Sequence, residues 1–448
     1  MKRKFKIKIS IWQLLALGYL TVILIGSVLL VLPWASKSGE TSYLDALFTS
    51  VSATCVTGLA VHNTAEHWTL FGQIVILILI QVGGLGFMTF VTSVFYILKK
   101  DVSLYGRKAL MATAGIDRKY LGLGKLVKRI LIGSAIFEAA GAFALCFRFV
   151  PDFGWGNGIY YSVWHSVSAF CNAGFDLIGT NGGCSITSYA KDPLVTVTLG
   201  LLIIIGGLGF YVWSDILDSR LKPKKLQFNT KVVLTLSAAL IVLSCALFTV
   251  FEWNNPSYTD YNFGEKLLVS FFNAVTPRTA GFSTTDPTTL SECGYALTLL
   301  LMFVGGNSGS TAGGIKVGTL AVIVTGMIAS LRGKSDIDLG RKRLAPELLS
   351  QALAIFVACL SLIVLSTIAI CAFQPSLTIK EVVFECVSAL GTVGLTLNVT
   401  DKLLIPSKII IMLLMYTGRV GILTLTLALG ESRTTAKIRK PIDSILIG

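Results

Sequence analysis

Four short stretches of the chain align on one glycine: SATCVTGL (52–59), SAFCNAGF (168–175), VTPRTAGF (275–282) and SALGTVGL (388–395). Their glycines, Gly58, Gly174, Gly281 and Gly394, stand 116, 107 and 113 residues apart. A unit of about 110 residues therefore occurs four times, and a repeat of this kind constrains the fold before any single residue does. Each unit has the same grammar. A long apolar run comes first (11–32, 126–150, 230–251, 350–373). A half-length amphipathic run follows and ends at the glycine motif (43–54, 159–170, 265–276, 378–390). A second long run closes the unit (70–98, 194–218, 295–330, 406–429), with a basic cluster after it. The long runs approach the roughly 20 residues that span a bilayer, whereas runs of about ten to fourteen suit a helix that enters and leaves on one side.

Composition agrees with a membrane chain. Hydrophobic residues make up 53% and charged residues only 14%, where soluble domains carry about 25% charged. The net charge of +14 suggests nucleic acid until its placement is examined. Of the 38 Lys and Arg, 28 fall at 2–8, 99–129, 220–231, 332–343 and 433–440, between the units and at the ends. That asymmetry is the positive-inside signature; it excludes nucleic acid as a partner and places both termini and three loops in the cytoplasm of a plasma-membrane protein. The apolar run after MKRKFKIKIS is too long for a signal-peptide core and lacks a cleavage site, so it is expected to stay as the first span. The expected fold is all-α: eight spans around one central pore, in units 1–110, 111–225, 226–345 and 346–448. The nine cysteines show no metal-ligand spacing, and Cys184 and Cys293, in outward loops, can pair although nothing requires it.

The return loops carry the chemistry. Where each half-helix ends, its last carbonyls lack partners and its dipole presents about half a negative charge. Four such ends on one axis favour a cation. The residues after them must run extended with carbonyls inward, and backbone carbonyls that replace a hydration shell are how potassium filters work. The expected filter is Val56, Thr57 and Gly58; Asn172, Ala173 and Gly174; Thr279, Ala280 and Gly281; and Thr392, Val393 and Gly394. One such glycine alone reads as a helix cap. Four in register, each after a half-helix and before a span, read as a cation filter.

The third unit's second span is interrupted by Gly305, Gly306, Asn307, Ser308, Gly309, Ser310, Thr311, Ala312, Gly313 and Gly314. Backbone that leaves the helix at membrane depth survives only where protein or a water-filled cavity surrounds it. In the other units the equivalent run holds GGLG or TGRVG and is expected to stay helical. A lone Arg in a span must face the interior, so Arg419 is expected to hold the loop's oxygens. Lys316 is expected to reach the cytoplasmic side, and Arg278 to turn away from the axis and pair behind the filter. Asp45, Glu265 and Glu381 complement pore-helix N-termini. His62, His67 and His165 lack metal-ligand spacing.

The four glycine motifs, IQVGGLGFMTF (80–90), GGNSGSTAGGIK (305–316) and YTGRVGILT (416–424) resemble those of the superfamily of potassium transporters that includes TrkH, KtrB and the plant HKT proteins. The resemblance covers essentially the whole chain and is nearest the short KtrB or KtrD type. It implies potassium as substrate, a sodium dependence in some members, no cofactor in this chain, and 305–314 with Arg419 as an intramembrane gate. It further implies a homodimer on a ring of cytosolic RCK-domain subunits that bind ATP, ADP or another adenine nucleotide. The basic loops 99–129 and 332–343 would be the docking surface, unless they meet only lipid headgroups. Two alternatives stand beside a channel-like pore. One is a proton- or sodium-coupled symporter or the potassium subunit of a pump. The other is a membrane-embedded enzyme using Glu138 and Glu385, which no paired acidic or histidine motif supports.

Overall fold

The computed structural model describes residues 10–86, 89, 123–179, 185–220, 222–334, 336–340 and 342–430. Helix starts follow local chemistry. Ser10 and Gln13 cap the span Ile11–Val31 reciprocally, each side chain accepting from the other's backbone N–H. Asn262 with Glu265 and Thr378 with Glu381 do the same for the half-helices Phe263–Val275 and Ile379–Gly391. Asp45 lies in the first turn of a third half-helix, Tyr43–Thr54. The second unit's half-helix continues from its first span as Leu123–Phe170, broken where Gly154 takes φ +79°. All four half-helices thus stand where the apolar runs place them.

The remaining first spans are Phe228–Phe251 and Pro346–Phe373. The apolar outer faces of the first spans, with Ile25 and Val28 on Ile11–Val31 and Leu365 and Ile368 on Pro346–Phe373 more than half exposed, are the surface a bilayer covers. The half-helices are buried inside, packed against both spans of their own unit. The last unit returns to the first: Gln13 Nε2 donates to Ala428 O at 3.1 Å and Tyr416 Oη to Ala16 O at 2.7 Å. In the basic segment after the third unit, Asp338–Leu339 and Lys342–Arg343 form a small antiparallel ribbon. Residues 1–9, 99–122 and 431–448, which hold most of the other basic clusters, lie outside the described residues, as does Cys184; Cys293 is exposed.

The second spans depart from expectation. Those of the second and fourth units do not stay helical. Pro193–Leu208 turns by 87° at Gly209 into Phe210–Asp218, and Ile405–Val420 turns by 92° at Gly421 into Ile422–Leu429. In the first unit Leu70–Leu85 ends at Gly86. Gly86, Gly209 and Gly421 share a left-handed φ of +84°, +98° and +88°, which stops the hydrogen-bond ladder at one register. Three residues earlier, Gly83, Gly206 and Gly418 lie against the carbonyls of Thr54, Phe170 and Leu390, leaving no room for a Cβ. Close packing on the pore helix and then a forced turn explain the GGLG and TGRVG pattern. The third unit differs in the length of its break: Glu292–Phe303 and Val317–Leu331 flank a full loop.

Candidate ion-conduction site

The glycines of the four motifs close a ring. A Cβ built on Gly58 would lie 2.5 Å from Ala173 O, one on Gly174 2.7 Å from Ala280 O, and one on Gly281 2.5 Å from Val393 O. A Cβ on Gly394 would come closer still to Thr57 O, which returns the ring to its start. Each glycine therefore faces the carbonyl that precedes the next unit's glycine. Two residues before each glycine, Val56, Asn172, Thr279 and Thr392 also hold positive φ, from +51° to +77°. That region costs a non-glycine residue about 1–3 kcal/mol, and most for β-branched types, so the surroundings must impose it.

What imposes it includes hydroxyls that the sequence reading missed. Thr57, Ala173 and Val393 each donate their N–H to the carbonyl of Ser52, Ser168 or Ser388, all at 2.8 Å. Ser52 and Ser388 Oγ then accept from the N–H of Gly58 and Gly394 at 3.1 Å, while Ser168 Oγ donates to Phe175 O at 2.8 Å. In the third unit this task moves one place along, to Thr276, whose hydroxyl donates to Phe282 O. The serine that opens three of the four motifs was the signal. Cys55 and Cys171 are buried, and Cys171 Sγ donates to Gln81 Oε1 at 3.2 Å rather than taking part in the ring.

A cavity of about 440 Å³ opens over the four glycines, with His62, Asp176 and Asp401 in its wall. Burial pushes the Asp176 carboxyl up to about 6, against backbone hydrogen bonds that favour its charged form. Beside the cavity, Asp45 pairs with Lys408 at 2.7 Å and meets His62 at 3.3 Å. Asp45 is thus an ion-pair member as well as a helix-terminus charge. His62 stacks on His67 with ring centres 4.1 Å apart.

On the ring's other side lies the loop 305–314, bonded directly to the second and fourth units. Asn307 and Thr311 donate their N–H to the carbonyls of Gly207 and Gly206 at 3.1 and 3.3 Å, and Gly309 O accepts from Phe210 N at 2.9 Å, all at the second unit's break. Arg419 Nη1 donates to Thr311 O, while its Nη2 donates to Gly83 O and, at 3.2 Å, Gly84 O. It holds a loop carbonyl as expected, and ties it to the first unit as well. Gly313 packs beneath Thr392 with no room for a Cβ. Gly305, Gly306 and Ala312 are buried with it, Ser310 Oγ donates to Asn307 O at 2.7 Å, Gly314 takes φ +64°, and Ser308 alone is exposed. Lys316 does not reach for the surface. Its Nζ turns back and donates to Ala312 O at 2.7 Å and Gly313 O at 3.1 Å, because those carbonyls have lost their helical partners. Arg278 turns away from the ring, and its partner is the hydroxyl of Ser237.

The two carboxylates that an enzyme would use are engaged structurally. Gln81 Nε2 donates to Glu138 at 2.9 Å, and the hydroxyls of Thr396 and Thr400 donate to Glu385. Among the described residues no group of three or more His, Cys, Asp or Glu is placed to hold a metal ion.

Four half-helices ending on a shared ring of carbonyls, inside a bundle of apolar spans, have the build of a membrane transport protein. Residues 18–435 match the TrkH family of cation transport proteins, and the chain belongs to that family. It is 40% identical to the potassium/sodium uptake protein NtpJ of Enterococcus hirae, across 100% of this chain and 99% of that one. It is also 40% identical to the Ktr system potassium uptake protein B of Bacillus subtilis, over 97% and 96%. The fold matches the crystal structure of the potassium transporter TrkH from Vibrio parahaemolyticus with a TM-score of 0.74 at 20% identity, over 96% of this chain and 87% of that one.

Proposed function

We propose that the chain is the ion-translocating subunit of a potassium uptake system. Potassium sheds its water in a carbonyl filter formed by the twelve residues of the four motifs, and 305–314 with Arg419 gates the path below. The observation that carries this reading is the closed ring, in which each glycine abuts the carbonyl before the next one. In this reading the basic side faces the cytoplasm, the units divide at 1–110, 111–225, 226–345 and 346–448, and a negative-inside potential supplies about 2.3 kcal/mol per charge per 100 mV. The working form is a homodimer in membrane lipid, seated on a cytosolic RCK-type ring that binds adenine nucleotide. The segment 332–343, with its ribbon and the Asp336–Arg343 ion pair at 2.6 Å, offers that ring a shaped surface. A sodium dependence is the second reading, supported by the potassium/sodium uptake relative. The deciding experiment is flux into liposomes under an imposed voltage with no proton or sodium gradient. Potassium entry is expected. Entry only when such a gradient is added would replace the channel-like reading with a coupled one.

A further inference from the structure

Arg278 is only 8% exposed beside the third glycine motif, and among the described residues its guanidinium has a single acceptor. Its Nη2 donates to Ser237 Oγ at 3.3 Å, and its buried Nε has no partner. Ser237, 2% exposed, lies on the first span of the same unit, Phe228–Phe251. The same oxygen takes a second donor from the loop, Asn307 Nδ2, at 3.4 Å. A hydroxyl oxygen has two lone pairs, and here the glycine motif takes one and the broken span the other. Among the described residues no other side-chain atom bonds both a glycine motif and the loop. A void of about 10 Å³, lined by Arg278, Gly207 and Gly306 with four apolar neighbours, sets the guanidinium against the second unit's break and the start of the loop.

The loop has two differently held halves. Its foot, at Asn307, is clamped by Gly207 O, which accepts from both the backbone N–H at 3.1 Å and Nδ2 at 3.2 Å, and by Ser237. Its far half hangs on Arg419 and Gly206 O at Thr311 and on Lys316 at Ala312 and Gly313. Directly after Arg278 comes Thr279, with φ +77°, joined through its hydroxyl to the Asn172 side chain at 3.2 Å in the neighbouring unit. A displaced guanidinium therefore acts on two positions of the ring.

We propose that Ser237 is a positioning residue shared by selectivity and gating: one hydroxyl fixes both the third glycine motif and the foot on which the loop turns. This rests on reading the ring as a potassium filter and the loop as its gate. Ser237→Ala removes the common acceptor, so potassium flux rises and potassium-over-sodium preference falls, each by about five-fold or more, the low end of measured site-to-site couplings. Ser237→Thr keeps the hydroxyl and restores both properties. Arg419→Ala, which frees only the far half, raises flux without changing preference.

The test measures potassium and sodium flux in liposomes for the full-length protein and these variants, with Asn307→Ala added alone and in the Ser237→Ala background. A shared oxygen requires that Asn307→Ala raise flux less once Ser237 is gone. Should Ser237→Ala fail to assemble, Ser237→Cys, whose sulfur is a weak acceptor of similar size, takes its place: a rise in flux together with a fall in preference would support the inference, and a change in only one of the two would sink it. Flux and preference separating in Ser237→Ala, failure of Ser237→Thr to restore them, or additive effects of the pair would each overturn it. A wild-type protein that does not prefer potassium would instead remove the functional reading beneath it.

Discussion

Arg419, in the fourth unit, donates one guanidinium nitrogen to Thr311 O in the third unit's loop and the other to Gly83 O in the first. One planar fork spans three units directly beneath the ring. Hydrogen bonds from a charged group contribute about 1.5–3 kcal/mol each, so in the gate reading proposed above the loss of Arg419 lowers the cost of moving the loop by about that much. Arg419→Ala, or removal of much of 305–314, is expected to raise potassium flux about tenfold and weaken its dependence on the proposed cytosolic ring, with potassium-over-sodium preference kept. Liposome flux with and without the regulatory subunit checks this. Unchanged or lower flux from folded protein would leave the loop as a structural hinge.

Gly58 holds φ +94° with a carbonyl 2.5 Å from where a Cβ would sit. Gly58→Ser therefore displaces Ala173 O, a member of the ring. Potassium-over-sodium preference should fall about tenfold, the factor that about 1.4 kcal/mol carries, while the amount of protein in the membrane holds. Intact preference would remove the first motif from the filter.

Arg278→Ala deletes the donor that Ser237 receives and leaves a gap behind the third motif. Lower thermal stability in detergent and loss of potassium binding are expected, on the order of the 2–5 kcal/mol that large-to-small changes in a core cost. Faster conduction with normal preference would show that the charge had acted as a barrier in the path.

His67 ends the short helix Thr64–His67 beside the cavity, where burial first, and then the neighbouring His62, push its pKa below the usual 6.5, with Asp45 opposing. The unfolded chain binds more protons than the folded one as pH falls below 6.5, so stability drops with acidification and is fully present above that value. Melting temperature measured from about pH 7.5 to 5 should decline, and His67→Gln should flatten the decline. An unaltered slope would assign it to other groups.

The repeat, the half-helices and the ring glycines were legible because each obeys a length or register rule that four copies make hard to miss. The breaks at Gly209 and Gly421 were not, because GGLG and TGRVG hold too few helix-breaking residues to outweigh their apolar flanks. Only the packing of Gly206 and Gly418 on pore-helix carbonyls shows why the helix stops there. Lys316 misled for a related reason: a lysine near a span's end ordinarily reaches for water, but this one has freed carbonyls within reach. Ser237 carries no motif at all. Its role exists only because a first span passes between a glycine motif and a distant loop.

The ring runs from each unit to its chain successor and from the last back to the first. Ring order is therefore chain order, and the covalent break between the chain's two ends falls at one of four comparable seams. A circularly permuted chain, opened between the second and third units near residue 226 with its old ends joined by a linker, keeps all four carbonyl neighbours. The described parts nearest the two ends already meet, where Gln13 donates to Ala428 O. A fragment of two units leaves the ring open at both ends. Conduction should survive rearrangement of the sequence but not its truncation, and potassium flux through the two proteins would tell them apart.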